Sequence, residues 1–324
     1  MNSFEKQSQL KSIIYEQLSS IINGKVALFG LPNHGNIGDT FITCGEYKFI
    51  NDINARIIYE RLLIDSSPLP ILPDDCTILI QGGGDFGDVW RGIQEERLRI
   101  INSYYDHRVV VFPQTISYHD KSILDYDVNQ LSKCTDLWIC ARDIVSFELA
   151  QSIFHHNILL IPDMAFYISQ KEIVRYINKT PFDKSLYLKR EDKELMNSAI
   201  PYSSDTDITD WPTVNNDVFY IRLSFLLVGL SDALRLRNFK FLSDCLRRLS
   251  LRYTKRVLYP YILKTGIRFL SSYNNVIVTR LHAAILSVLI SKPFTLVDNS
   301  YGKNKSFFDT WFSDLESATL YKQR

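Results

Sequence analysis

Short, nearly unbroken Val/Ile/Leu runs recur along this chain at wide spacing, and that recurrence constrains its fold more than any other feature. In the first half they occupy residues 25–30, 55–59, 77–81, 109–113, 137–141 and 158–161. A strand that is apolar at every position, rather than at every second one, is buried on both faces, as in a parallel sheet covered by helices. The segments between these runs carry helical spacing: Phe41, Cys44, Tyr47 and Lys48 share one face, and Leu98 and Ile101 another. Strands alternating with helices predict βαβ units. The pattern resumes at residues 185–189, 218–221, 256–259, 276–279 and 294–297. Between the halves, residues 169–182 lack a clear apolar repeat. Residues 201–216 (PYSSDTDITDWPTVNN) are polar, hold two prolines and read as a loop or lid.

A length of 324 residues suits two domains of ordinary size. The expected architecture is therefore α/β, with two doubly wound Rossmann-like domains, residues 1–170 and 171–324, facing a cleft. A 46% hydrophobic content supplies two cores, and 23% charged residues argue against disorder. The net charge of +1 gives no global field for nucleic acid. The five cysteines, Cys44, Cys76, Cys134, Cys140 and Cys245, form no C-x-x-C pair and are odd in number. Neither a disulfide framework nor a Cys-rich zinc site is expected, and free thiols suit a reducing cytosol. Residues 1–20 lack the apolar core of a signal peptide, and no stretch reaches the ~18 apolar residues of a membrane span. A cytoplasmic location is expected.

In doubly wound sheets, ligands sit beyond the carboxyl ends of the strands. Polar residues just after each run are therefore candidates. After the first run comes Leu-Pro-Asn33-His-Gly-Asn36-Ile-Gly38-Asp39, where Gly38 permits close approach and Asp39 stands as an N-cap beside amides that could hold an anion. After the third comes Gly82-Gly83-Gly84-Asp85-Phe86-Gly87-Asp88. Its glycines cost conformational entropy and suit a backbone that something must approach. It lacks the Lys-Ser/Thr ending of a nucleotide P-loop. Asp85 and Asp88 could bind sugar hydroxyls, cap a helix or hold a metal; capping is favoured, and no metal is required. His34, His107, His119, His155 and His156 show no ligand spacing. Later runs end in Pro113-Gln114, Arg142-Asp143, Pro162-Asp163, Arg190-Glu191-Asp192 and Arg280-Leu281-His282. Each alone could be a local ion pair or a core histidine; together they gather cations, carboxylates and a histidine on the expected ligand side.

Taken in order, these segments resemble the landmarks of the polysaccharide pyruvyltransferase family. Residues 33–39 with the glycine loop look like its paired N-terminal signature. Pro113-Gln114, Arg142-Asp143, Pro162-Asp163 and Arg190-Glu191-Asp192-Lys193-Glu194 are similar to later landmarks. Thr279-Arg280-Leu281-His282 resembles the C-terminal one, and Asp298-Asn299-Ser300-Tyr301-Gly302-Lys303-Asn304 a late loop. The resemblance covers residues 26–300 and implies a fold like the two-domain glycosyltransferase B type. It implies transfer of a pyruvyl group from phosphoenolpyruvate to a sugar of a surface polysaccharide or its lipid-linked precursor. The product is a cyclic ketal, and phosphate is released.

Phosphoenolpyruvate carries a phosphate and a carboxylate, both suited to the planar arginine fork. Arg280 and Arg190, with Arg142 as a third, are the expected anion binders. His282 is the expected acid/base, delivering a proton to the enol carbon. Asn33, Asn36, Gly38, Asp39, Gly83, Gly84, Asp85 and Asp88 are expected to bind the acceptor saccharide or to hold the glycine loops, and Leu281 to contribute backbone and packing. No cofactor is expected beyond the donor. Two rivals share the architecture: a sugar-nucleotide-dependent glycosyltransferase, which would bind a nucleoside diphosphate tightly, and a non-catalytic sugar-binding protein. Residues 235–256 hold eight Lys/Arg and one acid, Asp244, with Phe239, Leu242, Leu246 and Leu249 at helical spacing. This segment reads either as a solvated amphipathic helix or as a peripheral contact with anionic membrane near a lipid-linked acceptor.

Overall fold

The computed structural model describes residues 1–192, 194, 200, 202–213, 218–300 and 302–321. Lys193, Tyr301, Pro201 and residues 214–216, which belong to segments singled out above, lie outside the described residues.

Two parallel sheets organise the chain. The first contains β1 (Lys25–Leu31), β2 (Arg56–Leu62), β3 (Cys76–Ile80), β4 (Gly83–Gly87), β5 (Arg108–Ser117), β6 (Asp136–Ala141) and β7 (Asn157–Leu160). Its order is β2-β1-β3-β5-β6-β7, with β4 paired to the far end of β5. The second contains β8 (Phe182–Leu188), β9 (Thr206–Thr209), β10 (Tyr273–Val278), β11 (Phe294–Leu296) and β12 (Ala318–Leu320), in the order β12-β11-β10-β8-β9. All pairings are parallel. The cause is visible in burial: β3 is buried at every position and β5 at all but its two ends, as strands covered by helices on both faces must be. Each sheet starts at an inner strand and winds outward in both directions. The crevices therefore open between β1 and β3 and between β8 and β10.

The fold departs from the sequence pattern at several places. Residues 218–221 and 256–259 are not strands. The first opens the helix Phe219–Leu236, and the second runs through a π turn, Thr254–Leu258, into the helix Tyr259–Ser271. Both are short aromatic and β-branched runs inside longer amphipathic stretches, where local propensity yields to packing. The glycine loop is not wholly irregular, since residues 83–87 pair with β5 as a short strand. Nor is the polar stretch 201–216 all loop, because it supplies β9, the edge of the second sheet. Residues 169–182 contain a short helix, Gln170–Tyr176, that buries Ile173.

The halves share one apolar cluster that runs from Leu28 and Val110 in the first sheet to Leu186 and Val278 in the second. The helix Ile37–Asp52 lies at this junction, against the helices Tyr259–Ser271 and Leu281–Leu289. Gly266 lets them meet closely: a Cβ there would sit 2.7 Å from Ile37 Cγ2. The first helix, Ser3–Leu18, crosses between halves, touching both the turn Met164–Tyr167 and the helix Leu281–Leu289. Gln7 donates to the Val288 carbonyl at 2.7 Å, and Lys6 pairs with Asp314 at 2.6 Å. The cleft between the sheets is thus braced from behind by apolar packing.

Candidate functional site

The chain leaves β1 through Pro32, Asn33 and His34 and enters the helix Ile37–Asp52. Asn36, rather than Asp39, caps this helix, accepting from the Gly38 amide at 3.0 Å. Asp39 lies in the first turn, held by Asn36 Nδ2 at 2.9 Å and 3.5 Å from His34 Nε2. Burial pushes Asp39 up to about 6; Asp85 adds to this and His282 opposes it. Burial drives His34 down to about 4 against the pull of Asp85. The turn itself is braced from the second half, since Tyr259 donates to the Pro32 carbonyl at 2.9 Å and Thr213 to the Gly35 carbonyl at 2.6 Å.

β3 ends in the glycine segment. Below it, buried Glu46 accepts the Gly82 amide at 2.9 Å. Beside it, Gly84 has no side chain because the cations come close: a Cβ would lie 2.7 Å from Arg142 Nη2 and 3.2 Å from Lys303 Nζ. Arg142, at the end of β6, donates from Nε to Thr115 at 2.9 Å and from Nη1 to Asp163 Oδ2 at 2.7 Å. Asp163, just after β7, also accepts the Ala165 amide at 2.9 Å. Burial opposes its ionisation, but His282, Arg142 and that amide hold its carboxyl well below the usual range. Gly45 makes this turn possible, because a Cβ there would overlap the Met164 carbonyl at 1.8 Å.

From the second half, β10 delivers Arg280, Leu281 and His282. His282 Nε2 lies 3.3 Å from Asp163 Oδ2, without hydrogen-bond alignment, and its ring rests on Gly38. Arg280 binds Asp210 through Nε and Nη2, both at 2.5 Å, and stands 3.3 Å from Asp192. Arg190 pairs with Asp192 at 2.7 Å and Glu194 at 2.8 Å. Lys303 reaches Glu194 at 2.6 Å. Burial lowers Lys303 to about 8, with Glu194 opposing and Arg142 and Arg190 assisting.

A cavity of about 490 Å³ brings these groups together. Of the residues expected from the sequence, Asn36, Asp39, Gly84, Asp85, Arg142, Arg190, Arg280, Leu281 and His282 line it. Three do not. Asn33 is fully buried, with neither amide atom hydrogen-bonded. Gly83 is a backbone partner of Gln114 in the β4–β5 pairing. Asp88 faces the turn after β5, where it accepts the amides of His119 and Asp120 at 2.5 and 2.8 Å and stands 3.0 Å from His119 Nδ1. It staples two loops rather than facing the cleft. The two arginine forks, expected as open anion binders, are already engaged by carboxylates of their own half.

Several groups of the site carry little local signal. Asp163 reads in the sequence as a strand end; the structure makes it the hub joining Arg142 to His282. Asp210 sits in a stretch that reads as loop, and His34, which lines the cavity, shows no ligand spacing in the sequence. Lys303 lies in the late loop, whose resemblance was the one signal available. Among the described residues no group of three or more His, Cys, Asp or Glu side chains could hold a metal ion, and no helix is long and apolar enough to cross a membrane.

Known proteins now give this geometry a context. The family described as Polysaccharide pyruvyl transferase matches residues 36–301. EpsO of Bacillus subtilis (strain 168), named provisionally as a pyruvyl transferase, is 33% identical over 292 residues, covering 89% of this chain and 86% of the relative. Pyruvyl transferase 1 of Schizosaccharomyces pombe is 28% identical over 97% of this chain and 75% of its own length. An uncharacterized Klebsiella pneumoniae protein of known structure shares the fold, with a TM-score of 0.60 at 20% identity over 97% of this chain and 98% of that one. The match across most of the chain, and the identity to EpsO over nearly its full length, make this chain a member of the polysaccharide pyruvyl transferase family of enzymes.

Proposed function

We propose that this enzyme transfers a pyruvyl group from phosphoenolpyruvate to two hydroxyls of one sugar, in a surface polysaccharide or its lipid-linked precursor. The two halves act as a pair of glycosyltransferase-B-like domains, residues 1–170 on the acceptor side and 171–324 on the donor side. The observation that carries the reading is the convergence of His282, Arg142, Arg190, Arg280 and Lys303 on one cavity in a chain of this family. A donor with a phosphate and a carboxylate needs several cations in fixed geometry.

In the proposed sequence, His282 protonates the methylene carbon of the donor, which becomes the ketal methyl group. The first sugar hydroxyl adds to the neighbouring carbon. The carbon–oxygen bond to phosphate breaks, and the second hydroxyl closes the ring. Two hydroxyl protons are lost; one replaces the proton placed on carbon and the other leaves with phosphate. Asp163 stands 3.3 Å from Nε2 as the carboxylate beside the imidazole. Asp39, pushed up to about 6, is placed to take a hydroxyl proton. The cations steady the phosphate as it departs. No cofactor enters the scheme.

The test is to incubate the purified protein with phosphoenolpyruvate and candidate saccharides, measuring phosphate release and looking for the ketal by mass spectrometry. Phosphate release matched by ketal formation, both lost in His282→Ala, is the expected result. Full turnover in His282→Ala removes the assigned role. Tight binding of a nucleoside diphosphate with no phosphate release overturns the reaction itself.

A further inference from the structure

The helices Phe219–Leu236 and Lys240–Tyr253 pack on each other as a hairpin. Between the two helices, buried Ser231 donates to the Ser243 carbonyl at 2.9 Å. Its base is tied to the first sheet, where Arg247 donates to the Tyr59 hydroxyl at 3.1 Å and Lys255 pairs with Glu60.

The tip is different. Residues 236–242 read Leu-Arg-Asn-Phe-Lys-Phe-Leu and turn at Asn238, which has a left-handed φ of 63°. Leu236 is 86% exposed, Phe239 54%, Phe241 79% and Leu242 51%. Four large apolar side chains presented together at a protruding turn are not scattered surface residues; such patches mark interaction sites. Leu226 and Leu230, one turn apart further back along the first helix, are also exposed. Phe225, next to Leu226, lines the cleft, so this helix runs from the cleft wall to the tip.

Charge selects the partner. Residues 219–256 hold nine Lys/Arg against two acids, Asp232 and Asp244, and Asp244 is paired with Arg235. Arg237 and Lys240 flank the tip, and Arg248, Arg252 and Arg256 are exposed along the second helix and beyond it. Exposed Phe and Leu among exposed Arg and Lys is the pattern of an element lying in the plane of an anionic bilayer, with rings at the headgroup boundary and cations on the phosphates.

We propose that this hairpin docks the enzyme on an anionic membrane surface through residues 236–242 and the adjoining basic face, holding the cleft mouth at the lipid. Docking stands on the exposed surface alone. That it serves to meet a lipid-linked saccharide rests on the proposed function.

The test is co-sedimentation with vesicles of pure phosphatidylcholine and of phosphatidylcholine containing phosphatidylglycerol. Wild type is expected to sediment with the anionic vesicles only. Arg237→Gln/Lys240→Gln should weaken this by about 30-fold, from the worth of two cations near the surface. Phe239→Ser/Phe241→Ser should abolish it, with thermal unfolding and turnover of a water-soluble acceptor unchanged. Because sedimentation needs no catalysis, docking can succeed or fail whatever the reaction proves to be. Three outcomes overturn the proposal: no binding by wild type, equal binding to both vesicle types, or a wild-type dimer in light scattering that Phe239→Ser/Phe241→Ser converts to monomer. The last would make the tip a contact between two copies of the chain.

Discussion

Gly38→Ala tests how the two halves meet. The substitution adds one methyl group in the first turn of the helix Ile37–Asp52. In a permissive site it would stabilise that helix by up to ~1 kcal/mol. Here the new Cβ would lie 2.2 Å from His282 Nδ1, 2.5 Å from Cγ and 3.0 Å from Cβ. Carbon atoms in contact prefer ~3.5–4.0 Å, so the ring must retreat by about 1 Å or the helix must lift. The helix start resists lifting, because Thr213 and Tyr259 hold the Gly35 and Pro32 carbonyls and Asn36 caps the Gly38 amide. The ring is therefore the part that yields, and its 3.3 Å approach to Asp163 opens. Overpacking of this kind costs ~1–3 kcal/mol of stability. A 1 Å misplacement of a reacting group costs about 100-fold in turnover. We expect kcat/KM for phosphoenolpyruvate-dependent phosphate release to fall by about that factor, while the protein remains folded at assay temperature. Thermal unfolding and steady-state kinetics on the same preparation separate the two effects. If Gly38→Ala turns over like wild type, either His282 does not seat against this helix during the reaction or its position does not matter. Both outcomes remove the argument that this glycine clears space for the histidine.

Two further outcomes follow from buried or displaced carboxylates. Glu46 is fully buried, and burial pushes its carboxyl up to about 8 from the ordinary 4.5, against the Gly82 amide bond. A raised acid holds its proton more tightly when folded, so its stabilising contribution is complete below pH 4.5 and is lost as pH rises through about 8. In urea unfolding, Glu46→Gln should therefore gain on wild type by up to ~1.4 kcal/mol per pH unit across that window and by nothing further above it; a pH-independent difference would show Glu46 to be ionised. Asp88 is held below the usual carboxylate range, despite burial, by the bonds it accepts from His119 and Asp120. Asp88→Ala should lose only ~0.5–1.5 kcal/mol of stability, because the His119 and Asp120 amides are exposed and can turn to water, with kcat/KM changed by less than about threefold; a large kinetic loss at unchanged stability would return Asp88 to the cleft.

Much of the scaffold was legible without a structure. The first-half runs became β1, β2, β3, β5, β6 and β7 because a nearly continuous Val/Ile/Leu run followed by glycine, proline or a polar turn is itself the physical requirement for a strand covered on both faces. The loops that carry the site were legible for the same reason. Once strands and helices alternate in parallel, the residues after the strands must lie at one edge. Where a short apolar run sat inside a longer helical stretch, as at residues 218–221 and 256–259, the local pattern was ambiguous, and only packing against neighbouring helices decided it.

The partners were another matter. Nothing near Arg280 in sequence announces Asp210, and nothing near Gly38 announces a histidine from the other half. Asp88 has the same chemistry as Asp39 and a similar place after a glycine turn. Yet one staples a surface loop while the other is pushed up to about 6 inside the cleft. The chain determined which elements form, and so which loops gather, because periodicity and turn chemistry act over a few residues. Which side chains face one another, and which are ionised, depended on how two sheets with a common apolar core are set against each other. Burial and opposing charge exist only once that packing is made.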